Sequence, residues 1–162
     1  MAVGDARARG SDDRGVRGPV LRVRLLGGLE LRFGDERVPP LDSARAESLL
    51  AYLVLHRDAP QLRQHLAFRL WPDSTESQPR TNLRHVLHNL RRALPDADRF
   101  LDVGSRTLGW RPEASLWLDV AVFEQALAEG RLEDAVEVYG GELLEGNYDD
   151  WLHEERERLG HL

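Results

Sequence analysis

The chain contains no cysteine. Disulfides and thiolate metal sites are therefore excluded. It also contains no lysine, so all 22 basic residues are arginine and every cationic contact comes from a planar, forked donor. No apolar run approaches the ~20 residues a membrane-spanning helix needs. The first eighteen residues, MAVGDARARGSDDRGVRG, lack the apolar centre of a secretory signal. The expected location is the cytoplasm, with no membrane partner. Neither a G-x-G-x-x-G nor a Walker pattern occurs, and Gly27-Gly28 read as turn glycines rather than a phosphate cradle.

What is present is a soluble, globular composition: 162 residues, 41% apolar and 31% charged. The net charge of -6 is unevenly distributed. Residues 43–94 carry eight arginines and four acids, a net of +4, whereas residues 115–162 carry three arginines and thirteen acids, a net of -10. Two modules with different partners account for this segregation better than one mixed surface does.

Residues 1–18 offer almost nothing to bury and read as a disordered tail. Alternation over Val20–Val38, punctuated by Gly27-Gly28 and Gly34-Asp35, predicts a small antiparallel sheet of two or three strands. Pro39-Pro40 ends it. Asp42 or Ser43 can cap a helix reaching about His56, with Ala46, Leu49, Leu50 and Leu53 inward. A second helix is expected over Gln61–Trp71, where Leu62, Leu66 and Leu70 are four apart. Phe100–Val103 and Thr107–Trp110 around Gly104-Ser105-Arg106 read as a β-hairpin with Arg106 at or near its tip.

Thr75–Leu94 is the most informative stretch. Leu83, Val86, Leu87, Leu90 and Leu94 fall on one helical face, and Thr81, His85, His88 and Arg92 on the other, flanked by Arg84, Asn89 and Arg91. Its start is open between Thr75 with Gln78 as a capping box and Ser77 as cap, which leaves Pro79 in the tolerated first turn; Ser77 fits better. A core-held helix with forked donors on its outer face meets the requirement for reading a DNA groove, although a solvated surface helix has the same pattern. Sheet, three helices and hairpin in this order make the winged form of the helix-turn-helix. Arg111–Ala114 reads as a linker. Beyond it short helices are expected, Asp119 capping the first through Ala128, then Arg131–Tyr139, a turn over 142–146 and a last helix opening at Asp149-Asp150. That last helix is still in pattern at the end of the sequence, as in the front part of a longer protein.

LLGGLEL, Ser43 with Arg45, LAFRLWPDS and RTNLRHVLHNLRRAL together resemble the Streptomyces antibiotic regulatory protein family, and YGGELLEGNYDDWLHEERERL resembles the start of that family's bacterial transcriptional activation domain. The resemblance covers roughly residues 20–160. It implies an α+β architecture: an OmpR-like winged helix over 19–112, then an all-α, tetratricopeptide-like segment over 115–162. It implies a sequence-specific transcriptional regulator, an activator, whose partners are double-stranded promoter DNA, RNA polymerase and a second copy as a homodimer on direct repeats. Two departures are the later helices of the activation domain, either lost or lying beyond residue 162, and Pro79 at the start of the recognition helix.

On this reading Thr81, Arg84, His85, His88 and Asn89 are candidates for base edges, because arginine to guanine and asparagine to adenine are the natural bidentate pairs. Arg80, Arg91 and Arg92 are candidate phosphate clamps, and Arg106 a candidate minor-groove or phosphate contact. His85 and His88 without a placed carboxylate make a poor zinc site, so no metal and no cofactor are expected. Asp149-Asp150 and Glu154-Glu155 lack any accompanying nucleophile or oxyanion motif, and no enzymatic activity is expected. The acidic segment either meets a partner protein or docks on the winged helix through Leu116, Trp117, Leu118 and Phe123. The rival function is a protein-protein interaction module whose winged helix has no affinity for DNA.

Overall fold

The structure is a computed structural model that describes residues 18–75 and 77–162. The expected tail over residues 1–18 lies, except for Gly18, outside the described residues.

The described residues open with β1 (Leu21–Arg24), β2 (Glu30–Phe33) and β3 (Glu36–Arg37), paired antiparallel in sequence order. Alternation places Leu21, Val23 and Leu31 in the core and leaves Arg22, Arg24 and Arg32 exposed. Helix α1 (Ala44–Leu55) starts at Ser43, whose Oγ accepts the Ala46 N–H at 3.1 Å. A short strand β4 (Gln61–Leu62) runs directly into α2 (Arg63–Leu70). Helix α3 (Gln78–Ala93) follows. A single turn, α4 (Ala97–Phe100), then delivers the hairpin β5 (Leu101–Val103) and β6 (Thr107–Trp110). β4 pairs with β6 on the side opposite β5, giving a second, three-stranded sheet.

The rest of the chain closes back on the first sheet. β7 (Leu116–Leu118) pairs parallel with β1, so that sheet has four strands in the order β3-β2-β1-β7. The expectation of two or three strands followed by an exclusively helical segment is corrected here. The outer edge of β1 would otherwise present bare N–H and C=O groups, and β7 covers it. Helices α5 (Asp119–Ala128) and α6 (Leu132–Val138) then pack on each other, and α7 (Asp150–Gly160) ends the chain.

Asp119 is not the cap of α5 but its first residue, and it is fully buried. Its carboxylate accepts the N–H groups of Leu25 (3.0 Å), Leu26 (2.9 Å) and Val120 (2.8 Å). Burial raises its pKa above the usual carboxylate value, against the opposing pull of those three backbone donors. Leu62 also differs from expectation. It is extended in β4 and 47% exposed, because Gln61 and Leu62 pair with Leu108 and Thr107 instead of starting the helix. Phe100 ends α4 and is buried between Phe33 and Trp110, rather than starting the hairpin strand.

One hydrophobic cluster runs through the molecule. Leu143, Leu144, Trp151, Leu152 and Leu159 join the core that holds Leu21, Leu49, Leu53, Leu83 and Leu90. The irregular stretch before α7 is tied to the end of β1 by backbone bonds: Leu144 N–H to Leu25 O (2.8 Å), Gly27 N–H to Glu142 O (2.8 Å) and Glu145 N–H to Gly27 O (2.7 Å). A Cβ at Gly140 would stand 2.6 Å from Leu26 O, so that approach requires glycine. The Arg156 guanidinium holds the same stretch, donating to the carbonyls of Leu143, Leu144 and Asn147. Asp149 reaches α1 through Arg45 (2.5 Å) and Ser48 (2.6 Å), and Trp151 packs edge-on against Tyr52.

Candidate nucleic-acid interface

Helix α3 is anchored by the buried side chains of Pro79, Leu83, Leu87 and Leu90, and Leu94 just beyond it is buried as well. Val86 is half-buried at the margin. Pro79 lies in the first turn, where its missing N–H costs no intrahelical bond. Ser77 is the cap position, as the spacing favours, but its side chain makes no capping bond; its carbonyl instead accepts from the Thr81 N–H and hydroxyl.

With that face fixed, the helix turns Arg80, Thr81, Arg84, His85, His88, Arg91 and Arg92 to solvent, and Asn89 is half-buried. Two concavities flank the middle of the helix. One, about 560 Å³, lies between α3, the start of α2 and the hairpin tip, and gathers Arg63, Arg80, Arg84 and Arg106. The other, about 720 Å³, runs along the opposite flank past Thr81, His85, His88 and Asn89, with Trp71 and Arg45 at its wall. Arg84 borders both. Arg91 and Arg92 stand apart, beside a third concavity at the C-terminal end of α3. Arg91 donates to Asp98 at 2.8 Å, an exposed pair worth about 0–1 kcal/mol, which leaves the guanidinium available for exchange.

The hairpin tip is held from below. The Arg63 N–H donates to Arg106 O (2.9 Å) and its Nη1 to Gly104 O (3.0 Å). Gly104 N–H closes the tip on Thr107 O (2.9 Å). The Arg106 side chain is thus presented on a fixed backbone across the groove from Arg80 and Arg84. Sequence reasoning did not single out Arg63. No periodicity marks it, because its role arises only when β4 and β6 pair.

Among the described residues, no carboxylate lies within ion-pairing reach of Arg80, Arg84, Arg92 or Arg106, whereas Arg45, Arg91 and Arg156 each have one and Arg131 and Arg158 each have two. Also among the described residues, no group of three His, Cys, Asp or Glu side chains is placed to hold a metal, and no helix is long and apolar enough to cross a membrane.

No protein-family model and no curated protein matches this sequence. Among solved structures, the chain is similar to Mycobacterium tuberculosis EmbR in complex with a low-affinity phosphopeptide. The TM-score is 0.68 at 22% identity, over 88% of this chain and 42% of that one. The likeness establishes a shared mixed α/β fold, and this chain spans less than half the length of that protein.

Proposed function

We propose that this chain is a sequence-specific DNA-binding transcriptional regulator, a winged helix whose α3 enters the major groove. In this reading Arg84, with Thr81, His85, His88 and Asn89, meets base edges. Arg80, Arg91 and Arg92 hold phosphates, and Arg106 on the hairpin wing meets the minor groove or an adjacent phosphate. The observation that carries the reading is that Arg80, Arg84 and Arg92 on α3 and Arg106 at the hairpin tip have no carboxylate partner among the described residues. A free guanidinium beside another is electrostatically unfavourable in the isolated protein, and a phosphate backbone relieves it. The resemblance of the sequence to antibiotic regulatory proteins supports the same assignment. The acidic segment from Ser115 onward is then an activating surface for RNA polymerase, and the protein acts in the cytoplasm on promoter DNA, as a homodimer where sites repeat.

The test is titration of the whole chain with duplex DNA at several salt concentrations, after selection of bound sequences from a random pool. We expect log affinity to fall linearly with log salt, with a slope near -0.9 per phosphate neutralised. Absence of binding at low ionic strength would overturn the proposal.

A further inference from the structure

We propose that a second copy of this chain docks through its α6 onto the exposed face of the β3-β2-β1-β7 sheet. This goes beyond DNA recognition and rests on two surfaces that the fold leaves uncovered.

The first surface is the outer face of the sheet. The register places Arg37 opposite Arg32, Arg32 opposite Arg22, and Arg22 opposite Trp117, so one row across four strands reads Arg-Arg-Arg-Trp. Arg24 lies on the same face opposite Glu30. The guanidiniums of Arg22 and Arg24 sit 5.1 and 5.2 Å from the Trp117 ring. Glu30 stands 3.9 Å from Arg32 and 3.8 Å from Arg37, and Asp35 borders the same face, so four arginines meet two carboxylates there. Like charges directly opposite one another on a sheet destabilise it. Three arginines in a row call for an anionic cover.

The second surface is α6. Leu132 and Val136, four apart, are 64% and 74% exposed; Tyr139 at the C-terminal cap continues the stripe, 50% exposed, with one side of its ring against Phe123 at 5.5 Å. Glu133 borders that stripe and Glu137 follows one turn on along the same flank, and among the described residues no ion pair engages either. An apolar stripe with an acidic border is complementary to an indole with a cationic border. Leu132 to Tyr139 spans about 10 Å along a helix, short enough to lie within the about 14 Å of three strand spacings from Trp117 to Arg37.

Charge decides the pairing. α6 against α6 would bring Glu133 and Glu137 of both copies together, and sheet against sheet would oppose two arginine rows. Only α6 on the sheet face is complementary. The contact can close reciprocally in a twofold dimer or continue as a chain, and both arrangements use it.

The experiment is sedimentation equilibrium of the whole chain over a range of concentration and salt, without DNA. Weight-average mass should rise with concentration and the association should weaken as salt screens the contact. Arg22→Glu with Arg32→Glu, and separately Glu133→Arg with Glu137→Arg, should each weaken self-association at least tenfold. An equimolar mixture of the two variants should restore it, because each reversed surface then meets its reversed complement. Leu132→Gln with Val136→Gln, which changes no charge, should weaken association without altering the thermal melt. A chain that stays monomeric at millimolar concentration, an association indifferent to either charge reversal, or a mixture that does not recover would overturn the proposal.

Discussion

Arg84 borders the concavities on both flanks of α3, and that placement separates it from its neighbours. Replacing it with alanine removes a forked donor that no carboxylate engages. Arg84→Ala should therefore leave the melting temperature unchanged and cost about 1–3 kcal/mol at the selected DNA site. An equal loss on random DNA, measured in the same titration, would reassign Arg84 to phosphate positioning. Asp119 is the opposite kind of residue, buried and committed to the fold. Asp119→Asn would turn an amide N–H₂ toward backbone donors that now have an acceptor. We expect a loss of about 1–3 kcal/mol in urea unfolding, with DNA affinity of the folded protein unchanged. From the sequence alone Asp119 is indistinguishable from a helix cap, since an Asp just before an apolar helix has that pattern. Its partners at Leu25 and Leu26 lie more than ninety residues away, and no local signal encodes them.

At the scale of elements, α3 was the most legible part of the chain. Its 3.6-residue period is carried by four leucines and Val86, and the four leucines are buried while Val86 is half-buried. The exposed set followed from the same geometry. Leu87→Ala should destabilise the protein by about 2–5 kcal/mol, because Leu87 sits in a close-packed core that cannot collapse around the void. Unchanged denaturant stability in that variant would contradict the face assignment. The short strands were less legible for a physical reason. β4 has two residues and β7 three, too few for alternation to differ from a helical pattern. Leu62 fits the spacing of Leu66 and Leu70 equally well in either state, and pairing with β6 decides it. The hairpin was readable because its turn residues separate two longer runs. Its attachment to α2 through Arg63 was not.

For the whole molecule, charge segregation suggested two modules, but burial joins them. Charge reports on surfaces, and the sequence left open whether the acidic segment docks on the winged helix or meets a partner; the insertion of Leu143, Leu144, Trp151 and Leu152 into the common core depends on contacts far apart in the chain, which composition does not encode. α1 and α7 meet at His56, which stacks near Tyr52 and lies 3.8 Å from Glu155. Burial lowers the His56 pKa below its ordinary value of 6.5, and the attraction of Glu155 only partly offsets this. The unfolded chain then binds the proton more readily than the folded one. The His56 contribution is full above about pH 6.5 and is lost as the pH falls toward the lowered folded value. Thermal melts between pH 7.5 and 5 should show a falling midpoint, and His56→Gln should flatten that component of the fall. A variant with the same pH dependence as the parent would place the titration elsewhere.

The parallel pairing of β1 with β7 also sets an order of events during synthesis. Once synthesised, β1 waits for nearly a hundred further residues before its outer edge and the N–H groups of Leu25 and Leu26 find their partners. Local helices and the β5–β6 hairpin can form in the meantime, but closing so long a loop is the entropically slow step. A nascent chain halted before residue 116 would therefore hold its basic helix α3 beside a sheet with an open edge, prone to pair with another such chain. Completion of the acidic segment is what ends that exposure, so the acidic region governs when the basic region becomes safe to release.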